Sequence, residues 1–356
     1  MTAEEKIDTI DICGLMPDEL TEAFKELNEP SYRAKQVYGW LHKQKAASFD
    51  EMTNISKKLR SALSEKYRVT VMNPEKVLVS GIDGTRKYVF SLFDGNVIEA
   101  VFMRYHHGNS VCISSQVGCR MGCTFCASTL EGCVRNLTAA EMLSEIYRIE
   151  TDTGERVSNI VIMGSGEPFD NYDEVIRFIR MISDENGANI SARNITLSTC
   201  GLVSGIIRFA DEGLPVTLAL SLHAPYQELR EQMMPVARKY KLPEVLSACS
   251  EYFRKTGRRI SFEYSVVRGV NDTPQHARDL ARLIRNIHGH VNLIPVNPVE
   301  ETGYESPDRS SVEQFRDILT DEGINATIRR EMGRDISSAC GQLRRRHIKD
   351  AGVCTD

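Results

Sequence analysis

The chain has 356 residues, of which 41% are hydrophobic and 26% are charged. This length suggests about two domains, and the composition is close to that of a globular protein, which excludes disorder throughout, collagen and a coiled coil. The sequence contains no apolar run of about 18 residues, so we expect no membrane span. Its N-terminus lacks the basic-then-apolar layout of a secretory signal, so we expect a cytoplasmic protein.

The net charge of -5 hides an uneven distribution of charge along the chain. Residues 1–30 contain nine acids and two bases, a net of -7, whereas residues 31–70 contain nine bases and three acids, a net of +6. Residues 329–349 contain seven bases and two acids, a net of +5. Two basic segments in an acidic chain indicate either a surface that binds nucleic acid or two solvated faces.

The first part of the chain, residues 1–75, is predicted to be a small helical accessory domain. Apolar residues recur at spacings of three and four over residues 20–27, 32–44 and 55–67, which predicts three helices. Two alternating stretches, residues 87–93 and 97–103, then flank Asp94-Gly95-Asn96 and predict a β-hairpin. We assign residues 76–105 to a hairpin adaptor between two domains.

Residues 106–330 alternate short apolar strands with amphipathic helices. Strands are predicted at residues 110–115, 159–164, 194–200, 216–223, 259–267 and 290–296, and helices at 139–150, 172–182, 242–256 and 273–287. This order predicts an α/β fold with a parallel, right-handed wind. Six units are too few for a closed eight-stranded barrel, so we predict a partial (βα)6 barrel that binds ligands at the carboxyl ends of its strands. Residues 331–356 form a separate C-terminal segment.

Three of the ten cysteines, Cys119, Cys123 and Cys126, form a C-x3-C-x2-C loop after the first of these strands. In a reducing compartment such residues are metal ligands, reactive thiols or buried apolar residues rather than disulfides. A structural zinc site needs four ligands in paired knuckles, and the sequence has no second knuckle. Three thiolates on one loop suit a 4Fe-4S cube with one open iron, whereas a fourth ligand from Cys112 or Cys133 would make a closed electron-transfer cluster.

Polar or glycine-rich motifs lie at the carboxyl ends of four of the other five predicted strands. They are MGSGEP (163–168), Ser198, SLH (221–223) and IPVNP (294–298). Polar groups that face one mouth of a barrel are expected of a cofactor site, and Glu167 is suited to hold an ammonium group. Each motif taken alone is equally consistent with an ordinary turn or strand end.

The cysteine loop, with Phe125 before its last cysteine, resembles the signature of radical S-adenosylmethionine (SAM) enzymes, in which the open iron binds SAM. The wider sequence resembles the RlmN-type adenine-C2 RNA methyltransferases and their relative Cfr. The matching text is CISSQVGCRMGCTFCAS, RNLT, MGSGEPFDN, LSTCG, LSLHAP, NLIPVNP and GRDISSACGQL. The resemblance covers the catalytic domain and implies a radical-SAM partial barrel with a 4Fe-4S cluster and SAM as cofactors.

The resemblance also implies a role for individual residues. The cluster ligands fall on Cys119, Cys123 and Cys126; the SAM contacts on Gly166, Glu167, Ser198, Ser221, Leu222, His223 and Asn297; the methyl-carrying cysteine on Cys340, its partner on Cys112 and the base on Glu99. Five further cysteines match no family role: Cys13, Cys133, Cys200, Cys249 and Cys354.

The family mechanism explains why these residue types are needed. Adenine C2 is electron-poor, so it is a poor acceptor of a methyl cation, whereas a carbon radical adds to it; the electron for that chemistry comes from a cofactor. By the resemblance, one SAM methylates Cys340, and a second is cleaved to a radical that takes hydrogen from the new methyl group. The methylene radical bonds to the base, Glu99 removes a proton, and Cys112 forms a disulfide with Cys340 as the product leaves.

The implied substrates are adenosine 2503 of 23S rRNA and adenosine 37 of some tRNAs, each flipped out of its stack. We expect a flavodoxin- or ferredoxin-like reductant, a monomeric enzyme, and phosphate contacts from residues 31–70 and from arginines 344–346. Three alternatives stay open: Cfr-type methylation at C8, a radical-SAM enzyme with another kind of substrate, and a zinc-stabilised RNA-binding module without catalysis.

Overall fold

The computed structural model describes residues 9–297 and 303–336, so the predictions on Cys340 and on arginines 344–346 lie outside the described residues. The three predicted N-terminal helices are confirmed. They are α1 (Pro17–Glu26), α2 (Ser31–His42) and α3 (Lys57–Lys66), flanked by two short strands that pair in parallel, β1 (Ile10–Asp11) and β2 (Tyr67–Arg68). The Ser56 side chain caps α3 by accepting from the Leu59 N–H, as expected of a serine at that position.

Four antiparallel strands follow the helices: β3 (Asn73–Val79), β4 (Arg86–Ser91), β5 (Val97–Tyr105) and β6 (Gly108–Ile113). The predicted hairpin is confirmed as β4 and β5, whereas β3 was not predicted. Because β5 pairs directly with β6, the hairpin continues the sheet of the following barrel instead of standing apart from it.

The rest of the chain alternates strands and helices. The elements are β7 (Gln116–Gly118), β8 (Cys133–Asn136), α4 (Ala139–Thr153), β9 (Asn159–Ile162), α5 (Tyr172–Ile182), β10 (Ile195–Thr199), α6 (Val203–Asp211), β11 (Thr217–Ser221), α7 (Gln227–Met233), α8 (Leu242–Thr256), β12 (Ile260–Val266), α9 (Pro274–Ile284), β13 (Gly289–Pro295), α10 (Arg309–Asp321) and β14 (Ala326–Ile328). All six predicted strands and all four predicted helices of this region are confirmed. Sequence reasoning missed α6, α7, α10, β14 and the small β7–β8 sheet.

One ten-stranded sheet contains most of these strands, in the order β14-β13-β12-β11-β10-β9-β6-β5-β4-β3. Neighbouring strands from β6 to β14 are parallel. Its end strands β3 and β14 do not pair with each other in the described part of the chain, so the sheet forms an open barrel of the predicted α/β class. No helix among the described residues is long and apolar enough to cross a membrane.

The two faces of the sheet differ in polarity. Residues such as Leu197, Leu218 and Phe262 belong to the main hydrophobic core. Their neighbours along the strands lie on the opposite face, because successive side chains of a strand alternate. On β10, β11 and β12 this inner face carries Ser198, Ser221 and Glu263. At β10, β11 and β12 the inner face is therefore the wall of a polar site.

Candidate cluster and cofactor site

The cysteine loop lies between β7 and β8, at the carboxyl end of β6. Gly118 has φ +79° and Gly122 has φ +72°, a conformation that favours glycine. A Cβ on Gly118 would lie 2.1 Å from the Gly132 carbonyl oxygen, and the Cys119 N–H donates to that same oxygen at 2.8 Å. Gly118 therefore lets the loop fold back tightly on itself.

Burial, together with repulsion from neighbouring thiolates, raises the pKa of two thiols of this loop. Burial raises the pKa of Cys119 to about 12, and the charges of Cys126 and Glu167 add to that shift. Burial raises the pKa of Cys123 as well, followed by repulsion from Cys126 and Cys119. Three thiolates this close together need a cationic partner, which an iron–sulfur cluster supplies, so the donor set fits the group that the sequence implied.

A single metal ion fits this loop less well than a cluster does. Among the described residues, no group of three or more His, Cys, Asp or Glu side chains converges well enough to hold one ion. Each thiolate of a 4Fe-4S cube binds a different iron, so the three sulfurs need not converge on one point. Cys133 is one of the two possible fourth ligands of a closed cluster. Its thiol donates to the Arg135 carbonyl oxygen at 3.9 Å.

An apolar cluster covers the loop from the side of the later strands. It contains Cys200, Met233 and Val296, with Phe125 and Cys123 packed against it. The Phe125 ring meets the His223 ring edge-on, with 4.7 Å between the ring centroids. Such a hydrophobic shell limits solvent access to a cluster and thereby tunes its redox potential.

The glycine-rich loop after β9 brings Glu167 beside the cysteine loop. A Cβ on Gly166 would lie 2.7 Å from Ser115 Oγ, so this loop packs closely on the chain that leads to the cysteines. The buried Glu167 carboxylate accepts from the Cys200 N–H at 2.7 Å and from the Phe169 N–H at 3.1 Å. Burial raises the pKa of Glu167, although the hydrogen bonds from Cys200 act in the opposite direction.

The ends of β10 and β11 place the predicted serines in contact. Ser198 Oγ and Ser221 Oγ are 3.3 Å apart, and Leu222 and His223 continue directly from β11 in buried positions. His223 has φ +57°, and its Nδ1 accepts from the Ser265 N–H at 2.9 Å. Burial lowers the pKa of His223 to about 3, so its ring is neutral at physiological pH.

Arg230 is a residue of this site that sequence reasoning missed. Its buried guanidinium donates to the carbonyl oxygens of Cys200, Ser221 and Leu222, and its Nη1 has no hydrogen-bond partner among the described residues. It thus ties the ends of β10 and β11 together beneath the predicted SAM contacts. The sequence contained only a weak indication that Arg230 belongs to the site, because an arginine on a short helix usually faces solvent.

A cavity of about 1030 Å³ opens between β5, β6 and the end of β13. Cys112 lies on its wall, directly opposite Val101 of β5 and Val161 of β9, and Met103 and Met332 pack around it. Asn297 lines the same cavity. The structure therefore brings together the predicted partner cysteine and one of the predicted SAM contacts.

Glu99 lies on the same face of the sheet as Cys112, because Glu99 and Val101 are two residues apart on β5. Its buried carboxylate pairs with the fully buried ammonium of Lys87 at 3.3 Å. Removing one partner of such a buried pair costs about 3–5 kcal/mol, so each side chain holds the other in place. Glu99 is not among the residues that line the cavity, and Lys87 was not predicted.

A second buried carboxylate on the inner face, Glu263, was also missed. It accepts from the Ser261 hydroxyl at 2.6 Å and from the Asn292 amide at 2.8 Å. Burial raises the pKa of Glu263. The sequence could have revealed Glu263, because it is an acid in the middle of the apolar stretch RISFEYSVV. That pattern indicates a strand with one polar face.

Comparison with known proteins identifies this arrangement. Residues 113–284 match the Radical SAM superfamily, and residues 10–69 match the ribosomal RNA large subunit methyltransferase N-terminal domain. A radical SAM methyltransferase from Sphaerobacter thermophilus superposes with a TM-score of 0.90 at 42% identity, over 94% of this chain and 98% of that chain. The fold and the site thus define a radical SAM methyltransferase.

Sequence relatives specify the family. The chain is 56% identical, over 94% of its own length and 94% of the relative's, to a probable dual-specificity RNA methyltransferase RlmN of Lachnoclostridium phytofermentans. It is 54% identical to the protein of the same name from Alkaliphilus oremlandii, over 97% of this chain and all of that one. The chain belongs to the RlmN family of RNA methyltransferases. This membership implies a 4Fe-4S cluster and SAM as cofactors, and it excludes the non-catalytic zinc module.

Proposed function

We propose that this protein methylates C2 of adenosine 2503 in 23S rRNA and of adenosine 37 in some tRNAs, with Cys340 as the methyl carrier and two SAM molecules per turnover. The observation that carries the proposal is the position of Cys112, on the wall of an open cavity that Asn297 also lines. A thiol that must meet both a second thiol and an extruded base needs such a position. Ribosomal and transfer RNA substrates place the reaction in the cytoplasm.

The cofactors and the chain have separate tasks in this proposal. Cys119, Cys123 and Cys126 would hold the cluster, which would supply the electron for cleavage of SAM. The backbone at Gly166 and the Glu167 carboxylate would bind the methionine end of SAM, and the hydroxyls of Ser198 and Ser221, 3.3 Å apart, would bind its hydroxyl groups. Neutral His223 and the apolar cluster behind it exclude water from the cluster side of the site.

We assign proton removal to Glu99 on β5 and product release to Cys112 on β6. Glu99 accepts the proton from the methylated carbon, and the buried Lys87 ammonium keeps its carboxylate in place. The Cys112 sulfur bonds to the Cys340 sulfur as the carbon–sulfur bond breaks. The released carbon takes up the Cys112 proton and becomes the methyl group, and the unpaired electron left from the radical addition returns to the oxidised form of the one-electron reductant. Val101 is the direct cross-strand neighbour of Lys87 on one side and of Cys112 on the other. The side chains of Lys87, Glu99 and Cys112 therefore lie in one patch of the inner face.

Arginines surround the mouth of the cavity and are suited to RNA phosphates. Five of them line it, namely Arg309, Arg316, Arg329, Arg330 and Arg334, against three acids, Asp308, Glu313 and Glu331. Guanidinium groups bind phosphate in a two-pronged manner. We assign these five arginines to binding the RNA phosphates on either side of the extruded adenosine.

The N-terminal domain offers a second basic surface. A groove of about 910 Å³ between α3 and the β4–β5 hairpin is lined by Lys57, Arg60 and Arg68. Exposed Phe93 lies at its edge with the Arg68 guanidinium 4.5 Å from its ring centroid. An aromatic ring can stack on an unpaired base, and the cations beside it can bind the phosphate of that base.

Reversing the charge of Lys57, Lys58 and Arg60 together is expected to weaken RNA binding about tenfold or more in low salt. Each lost phosphate contact reduces counterion release, so the slope of affinity against salt concentration should fall by up to about three. Fluorescence anisotropy with a labelled anticodon stem-loop across a salt series measures both quantities.

The matched control reverses Arg208, Arg254 and Lys255 on α6 and α8, which lie outside both basic surfaces. This control should leave RNA affinity within about twofold of the parent protein. Equal affinity of both triple variants would make the α3 segment a solvated face.

The product identifies the reaction. The protein, reconstituted without air and supplied with SAM and a flavodoxin-type reductant, is incubated with a 23S rRNA fragment or a tRNA. Nucleosides from the digested RNA are then compared by mass spectrometry with 2-methyladenosine and 8-methyladenosine standards. We expect 2-methyladenosine; the 8-methyl isomer, or RNA without added methyl groups, would contradict the proposal.

A further inference from the structure

Residues 329–336, here called the strap, cross the open side of the barrel. The strap leaves β14, where the Arg329 N–H donates to the Leu293 carbonyl oxygen at 2.8 Å. Its Met332 packs against Cys112 and Met103 on the inner face. The strap then reaches the turn between β3 and β4, at the opposite end of the sheet order.

Two aspartates join the strap to this turn reciprocally. Asp335 of the strap accepts from the Ser80 hydroxyl at 2.6 Å and from the Gly81 N–H at 2.8 Å. Asp83 of the turn accepts from the Gly333 N–H of the strap at 2.9 Å. We call these five residues the clasp. It links chain positions about 250 residues apart, so it is a tertiary contact and not a local turn.

The electrostatics of the clasp agree with its hydrogen bonds. Burial alone would raise the pKa of Asp83, but bonds from the Gly333 and Thr85 N–H groups outweigh it and lower that pKa to about 2. The Ser80 hydroxyl lowers the pKa of Asp335. Both carboxylates are therefore charged acceptors, which make stronger hydrogen bonds than neutral ones.

Arg104 fixes the position of the turn that the strap contacts. The Arg104 guanidinium of β5 donates to the Gly84 carbonyl oxygen at 2.8 Å and pairs with Glu155 at 2.5 Å. Gly84 has φ +70°, and a Cβ there would lie 2.6 Å from Arg104 Nη1. The turn is thus a fixed point on the barrel wall.

We propose that the clasp is a tether that holds the chain leading to Cys340 beside the wall that carries Cys112, with Asp335 and Ser80 as positioning residues. The inference rests on the proposed function, because it takes these two cysteines as the reacting pair. Cys340 follows Ile336 by four positions in the sequence, and a chain of that length spans at most about 14 Å.

Opening the clasp lengthens the stretch of chain between the last attached residue and Cys340. If the strap detached as far as Ile328, the last residue of β14, Cys340 would follow the last attached residue by twelve positions instead of four. Local concentration falls roughly as the -3/2 power of tether length, so a threefold longer tether lowers it about fivefold.

The test measures that concentration directly. Holoenzyme is equilibrated without air in reduced and oxidised glutathione, where the two thiols and one oxidised glutathione give the Cys112–Cys340 disulfide and two reduced glutathiones. After alkylation, mass spectrometry quantifies the disulfide peptide. Asp335→Ala removes both hydrogen bonds that the strap carboxylate accepts from the turn, Ser80→Ala removes one of the two, and Asp321→Ala at the exposed end of α10 is the control.

We expect Asp335→Ala to lower the effective thiol concentration by up to about fivefold and Ser80→Ala to lower it by less, while the control and the parent protein agree. Iron content and thermal melting confirm that each variant is folded, and Ser80→Ala decides the matter if Asp335→Ala fails this check. Parent and clasp variants with equal disulfide would overturn the tether. A parent protein that forms no Cys112–Cys340 disulfide would contradict the proposed function itself, which is a separate outcome.

Discussion

Cys340→Ala is expected to abolish RNA methylation while leaving cluster assembly intact. In the proposed relay the methyl carbon is bonded to the sulfur of this residue before it reaches the base, so no other group can take over the step. We expect a loss of at least about 10³-fold in methylated RNA, equivalent to more than about 4 kcal/mol of transition-state stabilisation. Radiolabelled methyl transfer to RNA measures the loss.

Cys354→Ala is the matched control, because this tail cysteine has no role in the relay. Both variants should bind the same amount of iron as the parent and cleave SAM without RNA at comparable rates. Normal RNA methylation by Cys340→Ala would reject the relay through a methylated cysteine, whatever the product isomer.

Cys112→Ala is expected to stop the reaction one step later and to trap RNA on the protein. Once the methylene carbon joins Cys340 to the base, release requires a second sulfur to attack the first. The structure offers Cys112 for this attack, since it lies on the cavity wall beneath the strap. We expect methylated product to fall at least about 10³-fold, with covalent protein–RNA approaching one RNA per enzyme.

A denaturing gel measures the trapped RNA, and mass spectrometry of the nuclease-treated protein locates the adduct on the Cys340 peptide. Cys249→Ala, which empties a similar buried position on α8, controls for a general effect of removing a buried thiol. Free product from Cys112→Ala at the parent rate would remove Cys112 from the mechanism.

The sequence predicted the barrel well because its elements carry strong local signals. The helices over residues 172–182 and 242–256 were predicted at the bounds that the structure gives, since each has a clear apolar stripe. The helix predicted to end at residue 150 extends to Thr153, where Gly154 in the left-handed conformation stops it.

Other elements lack such local signals. β14 has three residues, and its pairing with β13 comes from tertiary packing. β3 is half-exposed at the edge of the sheet, so its alternation of polar and apolar residues is weak. The domain limits at residues 75, 105 and 330 stay predictions.

The site was predictable where a motif encodes it and not where distant segments meet. The cysteine loop and Glu167 belong to short continuous motifs with glycines that need unusual φ values. Arg230 and the clasp depend on contacts between segments that are apart in the sequence, and the Lys87–Glu99 pair depends on the register of the β4–β5 hairpin. The spacing of residues along one chain does not determine such contacts, so they required the structure.

The most direct test of this account is the metal content of the protein prepared without air, measured together with its response to SAM. Three cysteine ligands and one open iron predict about four irons and four sulfides per chain, and an electron paramagnetic resonance signal of the reduced cluster that changes when SAM is added. A colourless protein with one zinc ion in place of the cluster, or a cluster signal that SAM leaves unchanged, would contradict the central claim that Cys119, Cys123 and Cys126 hold an open-corner cluster for SAM.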